Sequence, residues 1–362
     1  MNASRMWTIV ELELTQRTRS VAWWVLVGVY AVVLLGITAL SFLVFLDTPD
    51  TGGAIFATIV YFVMLLVVLV SPTVSGNAVN GDRDQATLAP VQVTLASTTD
   101  IIVGKLLAAW ITGLAFVAVA VPFMAVSMLG GGASAAVLGT SLLVLVVEIG
   151  VFSAMGVGLS ALIGRPLFSV ATTYLVVAAF VIGTLIVFGL AGAAIRTEVT
   201  SHSRWSEPVW PAACETDPGG DACLDGPESY ECSEWETTTW DMPRYDRVWW
   251  LLAANPFVVL ADATPTVYDS RGEPTDMFGF IAAGVRLTQL APETEVWSDG
   301  CASSGAWSED DEPNTRDLMA GTTPSWFAGL AVQLIVAGAL LWGGWVRTRT
   351  PARTLPPGTR VA

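Results

Sequence analysis

Few residues in this 362-residue chain could do covalent or hydrolytic chemistry, and their spacing argues against most of it. His202 is the only histidine. No G-x-S-x-G or H-E-x-x-H sequence occurs, so neither a nucleophile elbow nor a helical zinc site is expected. Gly104-Lys105 has the look of a phosphate-binding loop's end. However, position 99 is threonine instead of glycine and position 106 is Leu106 instead of serine or threonine, so the Walker A cradle is missing. Four cysteines, Cys214, Cys223, Cys232 and Cys301, include no C-x-x-C pair. Glu148 is the only acid well inside an apolar run, too little for a chain of proton-relay groups. No basic, aromatic-laced patch points to nucleic acid. The expectation is a chain that is not an enzyme, binds no cofactor or metal, and draws any energy from elsewhere.

The elements that must position these groups are six apolar runs. They are Val21–Leu46, Ala54–Val79, Ile101–Leu129, Ala135–Ile163, Leu167–Ile195 and Trp326–Val346. About 20 helical residues cross a hydrocarbon core, and only helices or closed barrels satisfy their backbone in lipid. The fold class expected is therefore an all-α membrane protein with six transmembrane helices. Tryptophans 23, 24, 326, 342 and 345 fall towards run ends, where indole suits the membrane interface.

Charge sets the orientation. With the N-terminus inside, the even-numbered breaks and both tails gather arginines 5, 17, 19, 83, 165, 347, 349, 353 and 360 with Lys105, against five acids. The odd-numbered breaks hold Asp47 and Asp50, a glycine-rich turn at 130–132, and the long segment Arg196–Ser325. That segment carries 24 acids and seven arginines, which explains a net charge of −15 over a mildly basic inner face. By the cation bias, both termini are expected to be cytoplasmic, in a multi-pass protein of the cell membrane. Val21–Leu46 is too long for a signal-peptide core, and Leu46-Asp47-Thr48-Pro49 is no cleavage site.

Segment 196–325 exceeds an ordinary loop, and its acidity alone would fit disorder. Eight of the fifteen tryptophans and all four cysteines lie in it. An even cysteine count confined to the outward side points to two disulfides, with three pairings open. Within it, 248–261 is apolar but short, and Asn255-Pro256-Phe257 interrupts it. A lone extra span here would place the basic tail outside. A re-entrant or interfacial hairpin is expected, with Met277–Leu290 as a helix of the outer domain. A buried helix of that domain is the plain alternative for both.

On the inner side, residues 1–20 read as an amphipathic helix lying in the headgroup plane against membrane lipid, or as a plain positively charged flank of the first span. Met6, Trp7, Ile9, Val10 and Leu14 form its apolar side, which Glu13 and Arg17 interrupt. The loop 80–100 begins Asp82-Arg83-Asp84-Gln85-Ala86-Thr87-Leu88. It closes on Ser97 and Asp100, spaced as a capping box before the third run. Small residues Gly150, Ala154 and Gly158 recur every four positions on the fourth run. They serve either packing within the chain or a seam between two chains. Glu148 on the same run either lines a path or locks that helix to polar neighbours.

These inner pieces resemble a family. Permeases of the second type of ATP-binding-cassette (ABC) exporter carry, after their second span, a pattern E-R-E-x-G-T-L, then T-P-L-S, then G-K-L-L-A. Here Asp82-Arg83-Asp84-Gln85-Ala86-Thr87-Leu88, Thr94-Leu95-Ala96-Ser97 and Gly104-Lys105-Leu106-Leu107-Ala108 follow in that order. Asn255-Pro256-Phe257 is similar to a segment that often precedes the family's last span. The sequence departs from the pattern in shortening both acids to aspartate, placing Ala86 at the glycine, and lacking the proline of T-P-L-S.

The resemblance implies a permease subunit that pairs with a second permease chain, as homo- or heterodimer, and rests on a separate cytoplasmic ABC ATPase. That partner would bind the ATP and magnesium. The coupling residues it implies are Asp82, Arg83, Asp84, Gln85, Thr87, Leu88, Ser97 and Asp100. The implied organisation is a cytoplasmic helix 1–20, spans and coupling loop in 21–195, an extracellular domain 196–325, a sixth span 326–346 and a basic tail 347–362. The rival expectation is a membrane-anchored interaction or sensory protein acting through its extracellular domain.

Overall fold

The computed structural model describes residues 3–45, 52–85, 97–128, 134–212, 214, 226–227, 229–301 and 313–349. Thr87, Leu88, the 130–132 turn, Asp47, Asp50, Cys223 and most of the basic tail lie outside them. Among the described residues six helices are long and apolar enough to cross a membrane, and this is a membrane protein. After an N-terminal helix α1 (Ala3–Thr18), span one is α2 (Val21–Val44). Span two is α3 (Gly52–Ser75), prolonged through a turn by the short α4 (Asn80–Asp84). Spans three and four are α5 (Thr98–Ser127) and α6 (Ala135–Leu162). Span five is α7 (Pro166–Ala178), a π-helical turn Ala179–Gly183, and α8 (Thr184–Ala194). Span six is the last helix, Trp326–Thr348.

Lipid is as apolar as leucine, so the bundle is held by close packing and buried polar contacts. The small residues of span four show this directly. A methyl group on Gly158 would come within 2.6 Å of the Leu340 backbone, and one on Gly344 within 2.9 Å of the Gly158 carbonyl oxygen. Spans four and six therefore touch backbone to backbone. Gly150 sits under the Trp110 indole of span three, and Ala154 is buried. The stripe of small residues is used for packing inside the chain.

The expectation of an all-α fold is corrected between spans five and six. Strand β1 (Arg196–Arg204) leaves span five almost directly and forms the centre of a three-stranded sheet. It pairs antiparallel with β4 (Glu236–Pro243) and parallel with β5 (Glu295–Asp299). Strands β2 (Ser206–Val209) and β3 (Ser229–Cys232) make a second, two-stranded sheet. The physical reason lies in stretches such as Glu236-Thr-Thr-Thr-Trp240. Threonine and tryptophan favour a half-exposed pleated surface over a helix. Cys232, ending β3, is disulfide-bonded to Cys301, just past β5, with a Cα–Cα distance of 5.9 Å. This bond ties the two sheets together. Cys214 is disulfide-bonded as well.

The same segment also contributes a helical layer on the bundle. Helices α9 (Trp249–Ala253), α10 (Pro256–Ala263) and α11 (Met277–Leu287) pack on one another and on the spans. Phe278 is fully buried, its ring 5.2 Å from Tyr61 and 6.3 Å from Phe56, both of span two. One hydrophobic core thus runs from the spans into this layer. Asp262 of α10 accepts from the backbone N–H groups of Ser325 and Trp326, the latter at 3.1 Å, and from Arg286 of α11. It satisfies donors that the start of span six would otherwise leave bare. A short helix, α12 (Thr315–Ala320), leads into span six, the helix α13 (Trp326–Thr348).

Candidate functional site

Two polar constructions interrupt the apolar bundle, one at the end where α1 lies and one deeper, near the middle of spans four and five. The first lies where α1, the span two elbow and the start of span three meet. Lys105 is in the second turn of span three and is 3% exposed. Its ammonium meets two carboxylates, Glu13 from α1 and Asp82 from α4, the latter at 2.7 Å. A buried ammonium is tolerated when such partners surround it. Arg17, one turn after Glu13, lies 3.9 Å from that carboxylate. Its guanidinium donates to the Thr112 hydroxyl and the Val74 carbonyl, both at 3.0 Å. Val74 sits in the last turn of α3, so Arg17 caps a helix end whose carbonyls lack partners. Burial lowers the Arg17 pKa from its ordinary value, and the neighbouring Glu13 opposes that shift.

Glu13 and Arg17, which interrupt the apolar side of α1 in the sequence, are thus the residues that pin it. Val10 is fully buried on the same side, and Trp7 points away. Close approach depends on Gly104, where a methyl group would come 3.0 Å from the Ile9 side chain and 3.2 Å from the Met6 carbonyl oxygen.

The elbow itself is fastened to span four. Ser160 Oγ accepts from the backbone N–H groups of Val79 (2.9 Å) and Asn80 (3.1 Å). The Asn80 amide donates to the Ile163 carbonyl at 3.0 Å. Arg83 donates to the Ala161 carbonyl (3.2 Å) and to Thr348 Oγ1 at the end of span six (3.0 Å). Ser97 and Asp100 form the capping box expected of them, with both reciprocal bonds present at 3.1 and 3.0 Å. Trp345 of span six donates to Thr99 Oγ1 at 3.1 Å. Asp82 and Arg83 are therefore engaged within the chain, whereas Asp84 and Gln85 are exposed beside the start of the 86–96 segment. Beneath α1 a cleft of about 370 Å³ is lined by Arg17, Trp23, Asn77 and Asp82 among others.

The second construction surrounds Asn255-Pro256-Phe257. The break between α9 and α10 is built by Asn255, whose Oδ1 accepts from the Phe257 N–H at 3.0 Å, with Pro256 in the first helical position. The Asn255 amide also donates to the Val181 carbonyl (2.8 Å) and to Thr184 Oγ1 (3.0 Å). Val181 belongs to the π-helical turn of span five, so the turn and the break satisfy each other. The Phe257 ring stacks near Tyr61, with centroids 6.1 Å apart. Gln333 of span six donates to the Ala254 carbonyl at 3.1 Å.

Glu148 of span four is fully buried. The Gln333 amide approaches it, but no hydrogen bond closes on either carboxylate oxygen. A helix–break–helix segment, a π turn and an intramembrane acid thus converge through two amide side chains. Asn255 and Gln333 carry this convergence. Gln333 was missed in the sequence because one glutamine in an apolar run has no spacing signal. Lys105 counted in the sequence as one of the inner cations and as part of a motif, although a lone lysine near the start of a span demands carboxylate partners.

Among the described residues no cluster of histidine, cysteine and acid side chains could hold a metal ion. His202 stands on β1, its Nδ1 2.9 Å from Thr237 Oγ1, and stacks on the Trp297 ring. No family model and no curated protein matches this chain.

Proposed function

We propose that this chain is the permease subunit of an ATP-driven exporter, energised by a separate cytoplasmic ATPase and completed by a second permease chain. The observation that carries this reading is the shared lysine. Through Lys105, movement of the exposed elbow at Asp84–Gln85 reaches α1 by way of Glu13. Through Arg83 and Ser160 it reaches spans four and six. A partner pressing on that corner would act on four elements at once. The cation bias puts this corner on the cytoplasmic face and the strand-bearing domain outside. Asp84, Gln85 and the following Thr87–Leu88 stretch are the contact residues in this reading. Asp82, Arg83, Ser97 and Asp100 hold the corner in shape. The break at Asn255 and the acid at Glu148 border the path deeper in the bundle.

The test is mild-detergent affinity purification of the chain from its native cell, with mass spectrometry of co-purifying proteins. Stoichiometric recovery of a nucleotide-binding ATPase is expected, and an Asp84→Ala/Gln85→Ala variant should retain less of it. Recovery of envelope proteins alone would overturn the reading. It would favour a membrane-anchored interaction protein, for which the exposed tryptophans of the strand-bearing domain speak.

A further inference from the structure

Along span six, Leu334, Gly338, Leu341, Trp345 and Arg349 recur every three or four positions, so they lie on one side of the helix. The first three border a groove between spans three, four and six. Gly150 and Ala154 of span four are too small to fill it, and Trp110 of span three closes its other side. The groove holds about 390 Å³, the size of a small-ligand site. It opens outward: Leu334 is 51% exposed, and a methyl group on Gly338 would meet nothing within 4 Å. At about 1.5 Å per residue, Leu341 and Leu334 lie about 10 and about 21 Å along the helix from Thr348. The groove therefore lies at the depth of the hydrocarbon core.

The same helix side continues to a polar end. The Arg349 guanidinium lies over the Trp345 ring, 5.2 Å from its centroid. Trp345 is itself fixed, since its indole N–H donates to Thr99 Oγ1 at the start of span three. Arg349 is exposed, and among the described residues no carboxylate pairs with it. A guanidinium stacked on a ring keeps the N–H groups along its edge for an acceptor, in a fork that matches phosphate oxygens. A cation thus stands at the head of an open apolar slot.

We propose that groove and arginine together form a site for one anionic phospholipid of the leaflet that meets the end of span six. Its phosphate sits on Arg349, and one acyl chain runs past Trp345 into the groove. Basic positions between spans at a membrane surface recognise anionic head groups in this way. Charge selects an anionic lipid over a zwitterionic one. The ammonium of a zwitterionic head needs a carboxylate, and residues 347–362 hold four arginines and no acid. Asp100, the acid at the start of span three, is 2% exposed and accepts from the Ser97 N–H of its own cap. The site depends only on spans three, four and six, and it stands whether or not the chain is a permease.

The probes are phosphatidylglycerol and phosphatidylcholine with the same oleoyl chains, offered in equal amounts to the full chain in neutral detergent. Native mass spectrometry counts the lipids retained. The parent should prefer phosphatidylglycerol, and Arg349→Gln should reduce that preference about fivefold, the effect of one cation at an anionic surface. Arg349→Lys should keep most of it. Arg165→Gln, which removes an exposed arginine at the start of span five, should leave it unchanged. Gly338→Leu fills the groove without a clash and should lose the bound lipid while keeping its melting temperature. Equal preference in Arg349→Gln and the parent would overturn the proposal, as would an equal loss in Arg165→Gln, since the attraction would then be undirected. Displacement of the lipid by glycerol 3-phosphate would also overturn it, because the head alone would be what binds. So would a Gly338→Leu protein that keeps its lipid but changes oligomeric state by light scattering, since the groove would then hold a second copy of this chain.

Discussion

Lys105 and Asp82 meet at 2.7 Å across the junction of spans two and three, and Glu13 from α1 meets the same ammonium. Each carboxylate side chain is partly exposed, while the lysine side chain is almost wholly buried. The ammonium is therefore the member whose removal leaves two carboxylates without their shared partner.

Replacing Lys105 by methionine leaves two carboxylates facing each other at a partly buried corner. Breaking one side of such a pair costs about 3 kcal/mol. The K105M protein should melt several degrees lower in detergent, with α1 newly open to protease. Lys105→Arg should recover part of the loss. If K105M kept α1 protected and its melting temperature unchanged, the corner would not be held by charge.

The Cys232–Cys301 bond closes a stretch of 69 residues, and closing a loop of that length removes about 4 kcal/mol of unfolded-state entropy. Reduction should loosen the sheets and leave the spans intact. Hydrogen exchange would rise in Arg196–Arg204 and Glu236–Pro243 and stay low in the spans. Unchanged exchange in both strands would mean that their pairing with one another already holds them.

The six spans were legible in the sequence because a long apolar helix signals itself locally, residue by residue. The Ser97–Asp100 cap was legible for the same reason, since its bonds join positions three apart. The strands were not, because their pairing is set by partners far along the chain. Arg196–Arg204 reads as a polar run until Glu236–Pro243 and Glu295–Asp299 lie beside it. The roles of Asp82 and Arg83 were hidden likewise. Charges in a loop look solvated until Lys105, Ala161 and Thr348 arrive from three other elements. The small residues of span four predicted close packing but not their partner, which only the third dimension supplies.

Asn255→Ala should act at two places at once. It removes the cap of α10, worth about 1 kcal/mol, and it leaves the Val181 carbonyl of the π turn without its donor, a loss of similar size or larger. A melting temperature lowered by several degrees is expected, with faster hydrogen exchange at Ala179–Gly183. Asn255→Asp separates the two effects, because aspartate can cap α10 but cannot donate to Val181. If Asn255→Asp behaved like the parent, the bond to the π turn would contribute nothing measurable.

Glu148 presents the reverse case, a buried acid whose carboxylate oxygens close no hydrogen bond. An ionised carboxylate in such surroundings would be very costly, whereas a neutral side chain of the same shape would not. Glu148→Gln should therefore be at least as stable as the parent, and Glu148→Lys should fail to accumulate, because a cation there has no carboxylate to meet. Thermal scans and membrane yield of the two variants test this together. Under the permease reading proposed above, a Glu148→Gln protein that inserts, keeps its melting temperature and still loses the ATP hydrolysis of the co-purified partner would show that the acid serves the path. Unchanged hydrolysis in Glu148→Gln would confine Glu148 to packing near Gln333. A clear loss of stability in Glu148→Gln would show that the carboxyl makes a contact an amide cannot replace, and the account of this site as unbonded would fall.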